Sequence, residues 1–249
     1  MKRIGRIKNL VRYPVKSMAG VEMEQSVLGW HGLIGDRRYG VRKIADKSDF
    51  PWLCASGMPE LLRFKPAKFD LNSAELLPTH VQNPSGILRS INDPQLVTEI
   101  RDHVGIDVEL MAFKHGIFDD AVISLIGTST AGFVCSEAGI DHDTRRFRAN
   151  IEIECDDSTP FIEDQWVGKV ISIGEANDSP AFFVTKRDVR CKMISLDPDT
   201  AEHNPKVLKA AVRLNENNAG VYGTVVRTGR LCVGHSVFLS NSTESVVVQ

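Results

Sequence analysis

MKRIGRIKNLVRYPVKS, residues 1–17, decides the class of fold. Apolar and basic positions alternate along it, and it lacks the apolar core and small-residue cleavage site of a secretory leader. Residues 4–15 therefore read as a β-strand that belongs to the folded protein. Pro14 cannot donate to a strand ladder, so it ends the pairing and presents Lys16 and Ser17 at a strand end. The same alternation, rich in β-branched residues, recurs at 39–44, 108–113, 149–154, 170–173, 182–185, 221–227 and 236–239. Turns are expected around Gly229 and Gly234.

Helical stripes are few. One helix is expected to start at Asp93 and Pro94 and to end before Gly105; another follows Thr128 through Ser136 and is stopped by Gly139. A third has Asn204 as its cap and Pro205 in its first turn, with Leu208, Ala211 and Val212 on one face. Strands that are not separated by regular helices argue for a mainly β (α+β) architecture: two packed β-barrel-like domains with a few covering helices. The polar interruption at 114–120 divides them into residues 1–115 and 116–249. The tail from Asn241, polar and then apolar, is expected to be partly disordered.

With 249 residues, 42% apolar and 25% charged, the composition is that of a soluble globular protein. A net charge of -2 gives no global field toward nucleic acid or an anionic membrane, so any bound anion must be held by local cations. No apolar run approaches the roughly 20 residues that span a bilayer, and a cytoplasmic location is the default expectation. The cysteines at 54, 135, 155, 191 and 232 are odd in number and scattered, with no CxxC pair. That pattern argues against a disulfide framework, a zinc ribbon or an iron–sulfur cluster, and no GxGxxG in a strand–helix setting supports a flavin domain.

Several segments could carry chemistry. In RYPVKSM (12–18), a lysine beside a hydroxyl at a strand end suits a phosphate, although a solvated lysine is the plainer reading. GDRRYG (35–40) offers Arg37 or Arg38 to a site, or an arginine merely paired with Asp36. Thr128, Ser129 and Thr130 at a helix start make a competent anion site, or simply a cap. RRFRAN (145–150) leads into a strand, and alternation from an early start would put Arg146, Arg148 and Asn150 on one face. In RCKMISLDPDT (190–200), Cys191 lies between two cations that favour a thiolate, on the strand leading to an Asp-Pro turn. No histidine partner signposts cysteine-protease chemistry.

Taken together, these segments resemble the MOSC family, named for the C-terminal domain of molybdenum cofactor sulfurases. RYPVKSM and GDRRY look like the N-terminal β-barrel half; RRFRANI (145–151), PFIEDQWVG (160–168), Cys191 in its segment, and NAGVYG (218–223) look like the MOSC half. The resemblance implies a molybdenum cofactor, a pyranopterin dithiolene bearing the metal, with Cys191 as metal ligand and catalytic thiolate. It implies that Lys16, Ser17, Arg37, Ser129, Arg148 and Asn150 hold the cofactor's phosphate and pterin. By similarity to bacterial relatives of the mitochondrial amidoxime-reducing components, it implies reduction of N-hydroxylated compounds, hydroxylaminopurines or amidoximes, to amines or amidines. No flavin, iron–sulfur cluster or pyridoxal phosphate of the chain's own is expected, so a separate flavin or iron–sulfur protein must donate electrons. The alternative is a sulfur-carrier or cofactor-delivery module that uses Cys191 without turnover. Three positions depart from the family pattern: Asp188 replaces a second cysteine, Ala201 a glycine after the turn, and His235 an aspartate.

Overall fold

The computed structural model describes residues 1–240, so the tail expected to be disordered lies outside the described residues. The N-terminal part contains β1 (Lys2–Arg12), β2 (Val21–Met23), β3 (Gln25–Gly29), β4 (Gly32–Leu33) and β5 (Tyr39–Lys43). It continues with β6 (Lys65–Phe69), β7 (Pro78–Gln82), β8 (Leu88–Ser90), α1 (Pro94–Val104) and β9 (Val108–Ala112). The rest comprises β10 (Ile123–Gly127), α2 (Thr128–Ala138), β11 (Ile151–Cys155), β12 (Val170–Ile173) and β13 (Ala181–Val189). It ends with α3 (Lys206–Asn215), β14 (Asn218–Arg227), β15 (Gly229–Cys232) and β16 (Ser236–Ser240). The protein is mainly β, as the alternation predicts.

Its centre is a closed barrel of seven strands. The order runs β11-β10-β14-β13-β12-β16-β1, and pairing of β1 with β11 closes the ring. Ile4, Ile7 and Leu10 all enter the barrel core, although a spacing of three residues should alternate them between faces. Two register shifts resolve this: one between Arg3 and Gly5 against β16, another between Ile7 and Asn9 against β11. Each bulge adds one residue and returns the next isoleucine or leucine to the inside. Gly5 is required beside the first bulge, because a Cβ there would stand 2.3 Å from the Glu154 carbonyl oxygen.

β10 and β11 pair in parallel, with α2 as the crossover between them. All five residues of β10 are buried, which erases the alternation and explains why the segment reads only as an apolar run. A second core lies under β5–β9 and α1, built from Val41, Phe64, Val81, Leu96 and Ile100. A third packs α2 and α3 against the barrel through Val134, Phe147, Ile194, Val207 and Ala211. The 115/116 boundary falls in the connection from β9 to β10, while β1 joins the barrel formed mostly by later strands.

α1 has its expected ends: the Asp93 carboxylate accepts from Gln95 N, and Gly105 adopts the left-handed conformation. α2 likewise stops at left-handed Gly139. In α3 the Asn204 side chain accepts from Lys206 N, but the buried face is Val207, Ala210 and Ala211, with Val212 exposed. The expected stripe was rotated by about one residue, roughly 100° of helix. The chain around Gly229, expected as a turn, opens β15, which pairs with β3.

Candidate functional site

At Pro14 the chain leaves the barrel and turns. Val15 then pairs with Tyr39, and Lys16 N donates to the Tyr39 carbonyl at 2.8 Å. The next segment back is held by Arg37 N, which donates to the Tyr13 carbonyl at 2.8 Å. These bonds bring RYPVKSM and GDRRY side by side at the barrel rim. The loop before β11 and the loop after β13 complete a cavity of about 450 Å³. Lys16, Ser17, Arg37, Arg148 and Cys191 all line it.

Three of these five residues have left-handed backbones: Ser17 (φ 67), Arg37 (φ 48) and Arg148 (φ 52). Non-glycine residues held there cost on the order of 1–3 kcal/mol each, and such strain gathers at ligand sites. Arg148 takes this conformation because Thr144–Phe147 is a single 3-10 turn and β11 begins only at Ile151. The early strand start that would align Arg146, Arg148 and Asn150 by alternation is thus corrected.

The cavity is rich in crowded cations. Lys16 is buried and its Nζ lies 2.6 Å from Oδ1 of exposed Asp119. Arg37 pairs with buried Asp36, and the Arg37 and Arg148 guanidinium carbons lie 4.9 and 4.2 Å from the Tyr13 ring centroid. Burial drives the Arg148 pKa down to about 10, with the Arg37 charge adding to the effect and Tyr13 and Asp36 opposing it. An anion in the cavity would relieve that crowding.

Asp36 is the hub. It is 1% exposed, accepts from Tyr13 N at 2.6 Å through Oδ1, and accepts from Asn150 Nδ2 at 3.0 Å through Oδ2. Asn150 also donates to the Val11 carbonyl and accepts from Ser124 N and Oγ. Its amide is therefore spent on the frame, and it supports the site from behind instead of lining it.

Ser129 is not brought to the cavity. The start of α2 already has a carboxyl group: buried Glu163 accepts from Gly127 N at 3.2 Å and from Thr130 Oγ1 at 2.8 Å. Burial raises the pKa of this carboxyl, with the Thr130 and Gly127 bonds opposing. Ser124, not Ser129, is among the hydroxyls that line the cavity.

Cys191 is exposed and begins a 3-10 turn over Lys192–Ser195, after β13 has ended. It therefore follows the strand on which it was expected. Arg190 does not face outward with it. Its guanidinium donates to the Ala219 carbonyl (Nε, 2.6 Å) and the Phe147 carbonyl (Nη1, 2.7 Å), and stands 2.7 Å from Asp188 Oδ2. Gly220 (φ 87) makes room: a Cβ there would lie 2.5 Å from the Leu125 carbonyl oxygen and 3.0 Å from Arg190 Nη2. Beyond Cys191, the Asp-Pro turn forms as expected, with Asp197 Oδ1 accepting from Asp199 N and Thr200 N.

Among the wall residues that the sequence does not single out as site residues are Asp188, Tyr222 and Cys54. Asp188 is 1% exposed; burial raises its carboxyl pKa to about 6, against the opposing charge of Arg190 and a hydrogen bond with Tyr222. Tyr222 itself lines the cavity, as does Cys54, whose thiol pKa is pushed up by burial. Asp188 stood out only as a departure from the family pattern. Tyr222 lay in a quoted motif, and Cys54 carried no local signal.

Two family descriptions match the chain and overlap over residues 112–138. The MOSC domain matches residues 112–238 and the MOSC N-terminal beta barrel domain matches residues 4–138. Among solved structures, the YuaD protein from Bacillus subtilis superposes with a TM-score of 0.53 at 14% identity, covering 96% of this chain and 97% of that one. This likeness shows a shared fold. YiiM from Escherichia coli matches at a TM-score of 0.43 and 10% identity, over 96% of this chain and 71% of that one. YiiM from Geobacillus stearothermophilus matches at 0.37 and 15%, over 49% and 55%. No curated protein sequence matches the chain.

Proposed function

The chain belongs to the MOSC family, a group associated in general with the molybdenum cofactor, and on that premise we propose that it is a cofactor-dependent oxidoreductase that reduces N-hydroxylated compounds to amines or amidines. The observation that carries the reading is the convergence of an exposed thiol, Cys191, with Lys16, Ser17, Arg37 and Arg148 on one cavity.

The donor set fits the group. Cys191 offers the soft sulfur that suits molybdenum. Lys16 and Ser17 offer a point charge and a hydroxyl to a phosphate. Arg37 and Arg148, held against Tyr13, offer planar donors to a pterin edge. The crowding of these cations favours an anionic ligand.

When bound, the cofactor supplies the two-electron chemistry that releases the substrate's N-bound oxygen as water. The chain's residues do the rest. Asp36 fixes Tyr13, Arg37 and Asn150, and so sets the cavity wall before any ligand arrives. Asp188, whose carboxyl pKa burial raises to about 6, can hold a proton on the oxygen not paired with Arg190 and release it near neutral pH. It is the candidate source of a proton that the reduction consumes. Electrons come from a separate flavin or iron–sulfur protein.

The test is turnover of an N-hydroxylated purine with a chemical electron donor, using protein produced in a host that makes the cofactor. Wild type should form the amine, and Cys191→Ala should not. Wild type that carries stoichiometric molybdenum yet reduces no N-hydroxylated purine or amidoxime would instead favour a cofactor-delivery module.

A further inference from the structure

A second cavity, of about 420 Å³, lies on the other side of Arg146, Arg148 and Met193, which line both. Its lining is largely apolar, with Val11, Ala19, Val21, Leu62, Leu196 and Pro198. A concave, mostly apolar chamber of this size with a few polar groups is the usual form of a small-molecule site.

The polar group that stands out is Arg146, which is 7% exposed. Its Nη2 donates to Asp197 Oδ2 at 2.6 Å, but Nε and Nη1 are buried with no acceptor. A guanidinium is always charged and carries only donors, so unmade bonds here are costly. Asp197 cannot turn to satisfy them, because its other oxygen is committed to Asp199 N and Thr200 N. The neighbouring Arg145 contrasts with it: exposed, and paired with both Asp143 and Asp199. Asp199 is thereby engaged already; Glu22 is the other carboxylate among the lining residues, which also include Lys65, Arg145 and Arg148.

We propose that this chamber is a second ligand site, for a small organic acid with an apolar body, such as an aryl carboxylate, whose acid group takes the unspent donors of Arg146. The other cations of the lining, Lys65, Arg145 and Arg148, are offset in part by Glu22 and Asp199, so the modest net positive charge and the apolar lining suit a monoanion with an apolar body better than a phosphate dianion. The inference does not depend on the molybdenum reading of the first cavity, since Arg148, the one lining residue given a cofactor role, is not the group that takes the acid. Because Arg148 and Met193 are common walls, an occupant would abut whatever fills the first cavity.

The experiment is calorimetric titration of the full chain, produced without molybdate, with 2-naphthoate and its neutral counterpart 2-naphthamide. Wild type should bind the acid about tenfold more tightly than the amide, the effect of one charge-assisted pairing. Arg146→Met should erase that preference, and Arg146→Lys, which keeps the charge but loses the extra donors, should reduce it. Val21→Trp, which fills the chamber, should abolish binding of both probes. Cys191→Ala, in the other cavity, should change neither. No binding by wild type at millimolar probe, equal affinity for acid and amide, or binding that survives both Arg146→Met and Val21→Trp would overturn the proposal.

Discussion

Replacing Asp36 by alanine should be among the most damaging single changes at the site. The carboxylate is 1% exposed and serves three groups from different segments: Tyr13 N at 2.6 Å, Asn150 Nδ2 at 3.0 Å, and the Arg37 guanidinium. Without it, a buried backbone N–H loses its acceptor, and Arg37 is left beside Arg148 with no counter-charge in contact. Removing one partner of a buried ion pair costs roughly 3–5 kcal/mol. At about 2–4 °C per kcal/mol for a chain of this size, the midpoint of thermal unfolding should fall by roughly 6–20 °C. Asp36→Asn keeps an oxygen for Tyr13 N but turns an amide toward donors, so it should fall between wild type and alanine. The internal control is Asp156→Ala, which breaks the half-exposed pair with Arg3 and should cost no more than about 1 kcal/mol. Thermal and urea unfolding of the variants make the comparison. A shift for Asp36→Ala below about 2 °C, or one no larger than that of Asp156→Ala, would refute the claim that Asp36 organises this wall.

Two further changes test local readings. Ala201 stands at φ 63, so Ala201→Gly should stabilise the protein by about 1 kcal/mol in urea unfolding by removing left-handed strain; a loss of stability would show that the turn is not strained. Burial holds the Asp188 carboxyl at about 6 in the folded protein, against about 3.9 when unfolded. The folded state then binds the extra proton between those values, so the stabilising term is fully present below about 3.9 and lost as pH rises through about 6. The stability of wild type relative to Asp188→Asn should therefore decline from about pH 4 to pH 6.5 and level off above it; a difference independent of pH would contradict the burial argument.

What the sequence revealed tracks how local each signal is. α1 could be read almost to the residue because Asp93, Pro94 and Gly105 act within one turn of its ends. β12 was visible as four residues between polar breaks. β10 was not, since a strand buried on both faces shows no alternation. β6, with Pro66 inside it, and three-residue β8 are too short or too irregular to register. At the site, Lys16, Ser17, Arg37, Arg148 and Cys191 stood out because cations, glycines and a flanked cysteine cluster in sequence. Ser129 looks the same whether the helix start faces a ligand or Glu163, and that carboxylate comes from far along the chain. Asn150 presents the same difficulty: its partners Val11, Asp36 and Ser124 all arrive through tertiary structure.

The most direct test of the central claim is the molybdenum and pterin content of the chain purified from a cofactor-producing host, wild type beside Cys191→Ala. Wild type should contain stoichiometric molybdenum with pterin and the variant should lose the metal, with thermal stability of the empty protein unchanged. Wild type without molybdenum from such a host, or Cys191→Ala that retains it in full, would contradict the assignment of Cys191 as the metal's thiolate.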